Sequence, residues 1–154
     1  MTTELLVRRA RPGESDAVAA LVRRSREAAM PYLPQLHTPD EDRAFFRDRV
    51  FPATETWVAE RNAALVGFCA FRPGWLEHLY VDPAHRRGGI GTALLAKALA
   101  AKAQLRLWVF QRNAGARAFY ESHGFRCIRT TAGDNEEHEP DALYELNAFP
   151  DPER

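Results

Sequence analysis

Lysine is nearly missing from this chain: the basic side chains are almost all arginine, with lysine only at Lys97 and Lys102. Cysteine is scarce too. Cys69 and Cys127 lie in separate apolar, strand-like segments without CxxC spacing, which argues against a zinc site or a dithiol centre and predicts two buried free thiols. Net charge is absent, with 21 Lys+Arg against 21 Asp+Glu, so no global field draws the chain to nucleic acid or to an anionic membrane. No apolar run is long enough to span a bilayer. No charged n-region leads into an apolar stretch, so a cytoplasmic location is expected. The five histidines and the carboxylates show no metal-ligand spacing, and no metal is expected. Repeats, low-complexity tracts and linkers are also missing, so residues 1–154 read most simply as one domain.

What is present is ordinary in amount and informative in order. Apolar residues at 45% and charged residues at 27% suffice for a core without disulfide or metal staples. "ELLVRRA" reads as a first strand, and "RPGESD" as a turn into a helix whose Val18, Leu21, Val22, Ser25 and Ala29 share one face. "TPDE" at 38–41 has capping-box spacing with proline at the first helical position, predicting a short helix that carries Phe45 and Phe46. "TWVAE" and "LVGFCAF" form two strands around a turn at Asn62, and "WLEHLYV" a fourth after "RPG". Ile90, Leu94, Leu95, Ala98 and Leu99 mark an amphipathic helix, "LRLWVF" a fifth strand, and Asn113 the cap of a helix through Ser122. "FRCIRTT" and "ALYELNA" close the order.

The strand–helix–strand crossover in the middle requires a parallel pair, and the hairpins on either side should be antiparallel. The expected fold is therefore α/β (α+β). It has a mixed, largely antiparallel sheet of about seven strands with a central parallel pair, flanked by about four helices.

Between the fourth strand and its helix stands "AHRRGGIGTALL", residues 84–95. Uncovered amides ahead of a helix N-terminus form an anion site, and phosphate is the usual anion. A P-loop requires G-K-[ST], but Thr92 and Ala93 follow Gly91. A dinucleotide fingerprint requires a third glycine, but Leu94 occupies that place.

The run "YVDPAHRRGGIGTALL" resembles the acyl-CoA-binding motif of the GNAT superfamily of N-acetyltransferases, [QR]-x-x-G-x-[GA], with Arg86, Gly89 and Gly91 at its defining positions. A second stretch, "NAGARAFYESHGF" at 113–125, resembles N-x-x-A-x-x-F-Y-x-x-x-G-F of the same family. The resemblance implies a GNAT-like transferase using acetyl-CoA as co-substrate. It passes the acetyl group to a primary amine, on a small molecule or a lysine side chain, by direct attack through a tetrahedral intermediate.

Donor contacts are then implied at Arg86, Arg87, Gly88, Gly89, Ile90, Gly91 and Thr92 in the loop, at backbone groups of Leu79, Tyr80 and Val81, and at Asn113 and Phe119. One of the two arginines can equally be solvated, and Asn113 can equally be a plain cap. Tyr120 matches the family tyrosine beside the sulfur and is the implied general acid; packing beside Phe119 is the alternative. Glu77 is the implied base, with a structural ion pair as the alternative. By alternation Glu77 and His78 face opposite sides, so only one of them meets the acceptor.

Acetylases of protein N-termini carry a glutamate where "LWVFQRN" has Trp108, which counts against that subclass. In the family the acceptor is chosen by the first helices and by the loop between the last strands. Here those are "MPYLPQLHTPD", with Met30, Tyr32, Leu33 and His37 as wall candidates, and "AGDNEEHEPD". The acidic loop, with Asp134, Glu136, Glu137, Glu139 and Asp141, is either a lure for a cationic amine or a solvated charge run. The arginine clusters at Arg8, Arg9, Arg11 and Arg23, Arg24, Arg26 read as solvated faces, and neither a nucleic-acid nor a membrane partner is expected. A homodimer is compatible with the resemblance. A longer acyl donor, or an acyl-CoA-binding regulatory domain without turnover, is the alternative reading.

Overall fold

The computed structural model of the protein describes residues 4–86, 88–100 and 104–147. Seven strands form one sheet in the order β1-β2-β3-β4-β5-β7-β6. They are β1 (Leu6–Arg9), β2 (Glu55–Arg61), β3 (Ala64–Arg72), β4 (Trp75–Val81), β5 (Leu105–Phe110), β6 (Arg126–Thr131) and β7 (Asp141–Leu146). All neighbours are antiparallel except β4 and β5, the expected parallel pair.

The helices are α1 (Ser15–Ala29), α2 (Pro39–Phe45), the single turn α3 (Phe51–Ala53), α4 (Ile90–Leu99) and α5 (Ala114–Ser122). A π-helical stretch, Phe46–Val50, joins α2 to α3, so the helix expected to be short runs on for two further turns. Its start follows the sequence signal. The Thr38 hydroxyl accepts the Glu41 amide at 3.1 Å, and the Glu41 carboxylate accepts the Thr38 amide at 2.9 Å.

The sheet carries an apolar layer on each face. On one side Val18, Leu21 and Val22 of α1 and Phe46 pack on Val58 and Phe68. On the other, Ile90, Leu94 and Leu95 of α4 and Tyr120 of α5 pack on Val66, Leu107 and Tyr144. Cys69 is buried there, and burial pushes its thiol up to about 12. Cys127 departs from the expectation: it is exposed, because β6 is the sheet's outer edge and turns nearly all its residues to solvent.

Two irregularities of β4 position everything that follows. Its parallel pairing to β5 is limited to Trp75 and Arg106, so beyond Trp75 the two strands diverge. The pairing with β3 also shifts register between Ala70↔His78 and Phe71↔Leu76, leaving Glu77 as the extra residue of a β-bulge.

Candidate active site

On the side of the glycine loop, the chain leaves β4 at Val81 and makes a 3-10 turn, Pro83–His85, capped by the Asp82 carboxylate, which accepts the Ala84 amide at 2.9 Å. Burial alone would raise the Asp82 carboxyl, but the bonds from Ala84 and Arg24 overcome it and hold it low. Gly89 then takes a left-handed conformation, φ 76°, which lets α4 begin at Ile90 without a side chain over its first amides. Those amides lack intrahelical acceptors and point out of the helix end. Gly91 lies against α5: a β-carbon there would sit 3.2 Å from the Phe119 ring. Gly88 and Arg86 are exposed, and Arg87 lies outside the described residues.

Helix α5 closes this side. Asn113 Oδ1 accepts the Ala116 amide at 3.2 Å, so the cap reading of Asn113 holds. The Thr92 hydroxyl lies 3.2 Å from His123 Nε2, while His123 Nδ1 lies 2.9 Å from the Phe119 carbonyl, tying the two helix ends together. Tyr120 is buried between the Phe119 and Phe125 rings, at 5.3 and 5.5 Å. Burial foremost, then the nearby Cys69 and Tyr80, raise its phenol far above the usual range. It therefore stays protonated at any working pH. Leu79 and Val81 pack into the layer beneath α4.

A cleft of about 910 Å³ lies on the opposite face. Its walls are α1 with Val22, Arg23 and Arg26, the loop with Met30, Leu33 and His37, the α2 segment with Phe45 and Phe46, and His78 and Tyr80 of β4. Both tyrosines of the site keep their protons, since burial also raises Tyr80.

The bulge decides which neighbour on β4 meets this cleft. His78 lines it, its ring among those of Phe45, Phe46, Phe68 and Tyr80, with centroids 5.3–6.3 Å away. Its Nδ1 is buried without a hydrogen-bond partner. Desolvation, with Arg26 adding to it, lowers the imidazole to about 4, so it is neutral near pH 7. Glu77 is displaced from the cleft and accepts Arg72 Nε at 2.6 Å. The ion-pair alternative thus describes its surroundings.

The acidic loop acts as a strap. Glu136 meets His37, Glu137 accepts Arg26 at 3.3 Å, and Glu139 accepts Arg112 at 2.7 and 2.9 Å. Tyr32 is not a wall residue: Arg112 lies over its ring at 3.9 Å, and its hydroxyl is buried without a partner. Several arginines of the two sequence clusters also bind carboxylates: Arg8 meets Glu14 and Glu60, Arg23 meets Asp42, and Arg24 meets Asp82. Among the described residues no helix is long and apolar enough to cross a membrane, and no three His, Cys, Asp or Glu cluster as metal ligands.

The sheet thus opens between its parallel strands, with a glycine loop at a helix end beside the opening and a cleft lined by the same strand. The comparisons name the class. A family model described as acetyltransferase (GNAT) domain matches residues 52–127. Over 134 residues the chain is 32% identical to the peptidyl-lysine N-acetyltransferase YjaB of Escherichia coli, covering 84% of this chain and 87% of that protein. The apo-form solution structure of Escherichia coli YjaB superposes with a TM-score of 0.76 and 26% identity, over 92% of this chain and 97% of that one. A segment of 83 residues is 34% identical to the Escherichia coli peptidyl-lysine N-acetyltransferase YiaC, covering 53% of this chain and 57% of that protein. The fold is shared with yncA of Salmonella typhimurium, solved with its cofactor acetyl-CoA (TM-score 0.73, 17% identity, 96% of each chain). The protein belongs to the GNAT family of N-acetyltransferases and is an acyltransferase.

Proposed function

We propose that the protein moves an acetyl group from acetyl-CoA to a primary amine, with a lysine side chain as the favoured acceptor. The observation that carries this reading is the placement of β4. One strand supplies His78 and Tyr80 to the cleft and an edge freed from β5 to the donor side. The donor supplies an activated acyl thioester. The residues present fit it: Gly89, Ile90, Gly91 and Thr92 offer amides at the start of α4, and the edge of β4 at Leu79, Tyr80 and Val81 can pair with an extended arm. Gly91 admits close approach beside Phe119.

The acceptor has to be neutral to attack, and a lysine amine of pKa about 10.4 is almost wholly protonated at pH 7. The apolar floor of the cleft, with Val22, Met30, Leu33 and Phe46, disfavours the ammonium form. At the rim the carboxylates Glu27, Glu41, Asp42, Asp48, Glu136 and Glu137 outnumber Arg23, Arg26 and Arg49, which favours approach of a cation. The amine nitrogen attacks the thioester carbonyl carbon, the C–S bond breaks, and one N–H proton must leave. His78 takes the base's role here in place of Glu77, since its imidazole lines the cleft and is neutral near pH 7. Tyr120, always protonated, donates to the departing sulfur. The names of YjaB and YiaC support a lysine acceptor.

The test measures thiol release from acetyl-CoA against lysine peptides, polyamines, amino acids and aminoglycosides, with calorimetry of coenzyme A binding. Release that depends on lysine peptides supports the reading. Release with another amine alone moves the acceptor class. Tight binding without release on any amine favours a regulatory acyl-CoA-binding domain.

A further inference from the structure

Arg61, at the end of β2, is an arginine without a hydrogen-bond or ion-pair partner among the described residues. Among the described residues no carboxylate or carbonyl accepts from its guanidinium, and its Nε is buried with no hydrogen bond. Elsewhere Arg8, Arg23, Arg24, Arg26 and Arg112 each reach a carboxylate at 2.6–3.3 Å. Even the neighbouring Glu60 is bound to Arg8. A guanidinium stays charged at any working pH, and holding a donor of a charged group away from water without an acceptor is costly.

The backbone sets where Arg61 points. A register shift between Ala59 and Glu60 re-aims the end of β2, and the turn at Asn62 and Ala63, both with positive φ, returns the chain at once into β3. As a result the guanidinium lies against the glycine loop: a β-carbon at Gly88 would be 3.8 Å from both of its terminal nitrogens. The open N-terminal amides of α4 begin two residues further on.

We infer that Arg61 is a phosphate ligand, binding a phosphate group of the acyl donor beside the glycine loop. This rests on the reading of that loop as the donor site. A planar guanidinium fork matches two phosphate oxygens at once, and such an anion would satisfy the orphaned cation. The phosphate is either in the pyrophosphate or on the ribose of coenzyme A. Both present the same chemistry to a guanidinium, and the test separates them.

Calorimetry of wild type, Arg61→Gln and Arg61→Lys is carried out with coenzyme A, dephospho-coenzyme A and pantetheine, alongside melting curves. Arg61→Gln should weaken coenzyme A by about tenfold or more and leave pantetheine unchanged, with Arg61→Lys between. An equal loss for dephospho-coenzyme A assigns the pyrophosphate; a loss confined to coenzyme A assigns the ribose phosphate. Wild-type affinity for coenzyme A in Arg61→Gln overturns the inference, as does an equal loss for pantetheine. Should wild type itself fail to prefer coenzyme A to pantetheine, the donor-site reading falls first. If Arg61→Gln does not fold, the Nε–H resonance of Arg61 in wild type decides: it should move on adding coenzyme A, and a fixed resonance refutes the contact.

Discussion

Replacing His78 with phenylalanine should make the protein more stable and nearly inactive. The ring is already packed among Phe45, Phe46, Phe68 and Tyr80, so a phenyl group keeps those contacts. It removes the buried Nδ1 that has no partner. Relief of such a group is worth about 1 kcal/mol, or roughly 3 °C in melting temperature for a chain of this size. A second gain depends on pH. Burial lowers the folded imidazole to about 4 from the ordinary 6.5. Below the unfolded value the unfolded chain binds a proton that the folded chain refuses. Wild type therefore has this contribution in full above pH 6.5 and loses it as pH falls toward 4. The loss is on the order of 2–3 kcal/mol, and the variant should escape it. Thiol-release kinetics should show kcat down about 100-fold if the imidazole takes the acceptor's proton. Chemical denaturation at pH 7 and pH 4.5, with steady-state rates, checks both halves. A variant that melts lower refutes the orphaned-nitrogen argument, and one that retains kcat refutes the role of His78.

Other substitutions separate the remaining roles. Tyr120→Phe should lower kcat about tenfold or more with coenzyme A affinity unchanged by calorimetry, and equal turnover would reduce Tyr120 to packing. Glu77→Gln should leave the pH–rate profile in place and cost less than about 1 kcal/mol, the usual worth of an exposed pair with Arg72; a shifted acidic limb would restore it as base. Glu14, which accepts from Arg8 and from the Arg11 amide, is held down at about 2, foremost by the Arg8 bond. Its contribution is present above the unfolded value and lost as pH falls toward 2. Glu14→Gln should therefore cost about 1–2 kcal/mol at pH 7 and flatten acid denaturation below about pH 4.5.

Most of the fold was legible because each element announces itself locally. The Thr38 capping box, the Asn113 cap and the strand-like run "WLEHLYV" need no partner to be read. The glycine run ahead of α4 was legible as a helix start for the same reason. The bulge at Glu77 was not, because a bulge is a relation between two strands that neither carries alone. The acidic loop was open to two readings, lure or solvated charge run, and its role as a strap was not legible, because Arg26, His37 and Arg112, which bind its glutamates, are distant in the chain. Cys127 looked buried because "FRCIRTT" reads as a strand, and only the strand order places it at the edge. Arg61 carried no signal at all: one arginine before a tight turn belongs to no motif.

The single bridge between β4 and β5 divides the sheet mechanically. Four strands, β1 to β4, and three, β5 to β7, are each paired from neighbour to neighbour, with bulges, yet the two sets are bridged in the sheet by one residue pair. Amide hydrogens along that seam should exchange by local opening, well before those inside either half, which wait for global unfolding. A bound extended chain lying in the seam would act as a missing strand. It would couple the two halves into one cooperative unit and slow exchange far from any residue it touches.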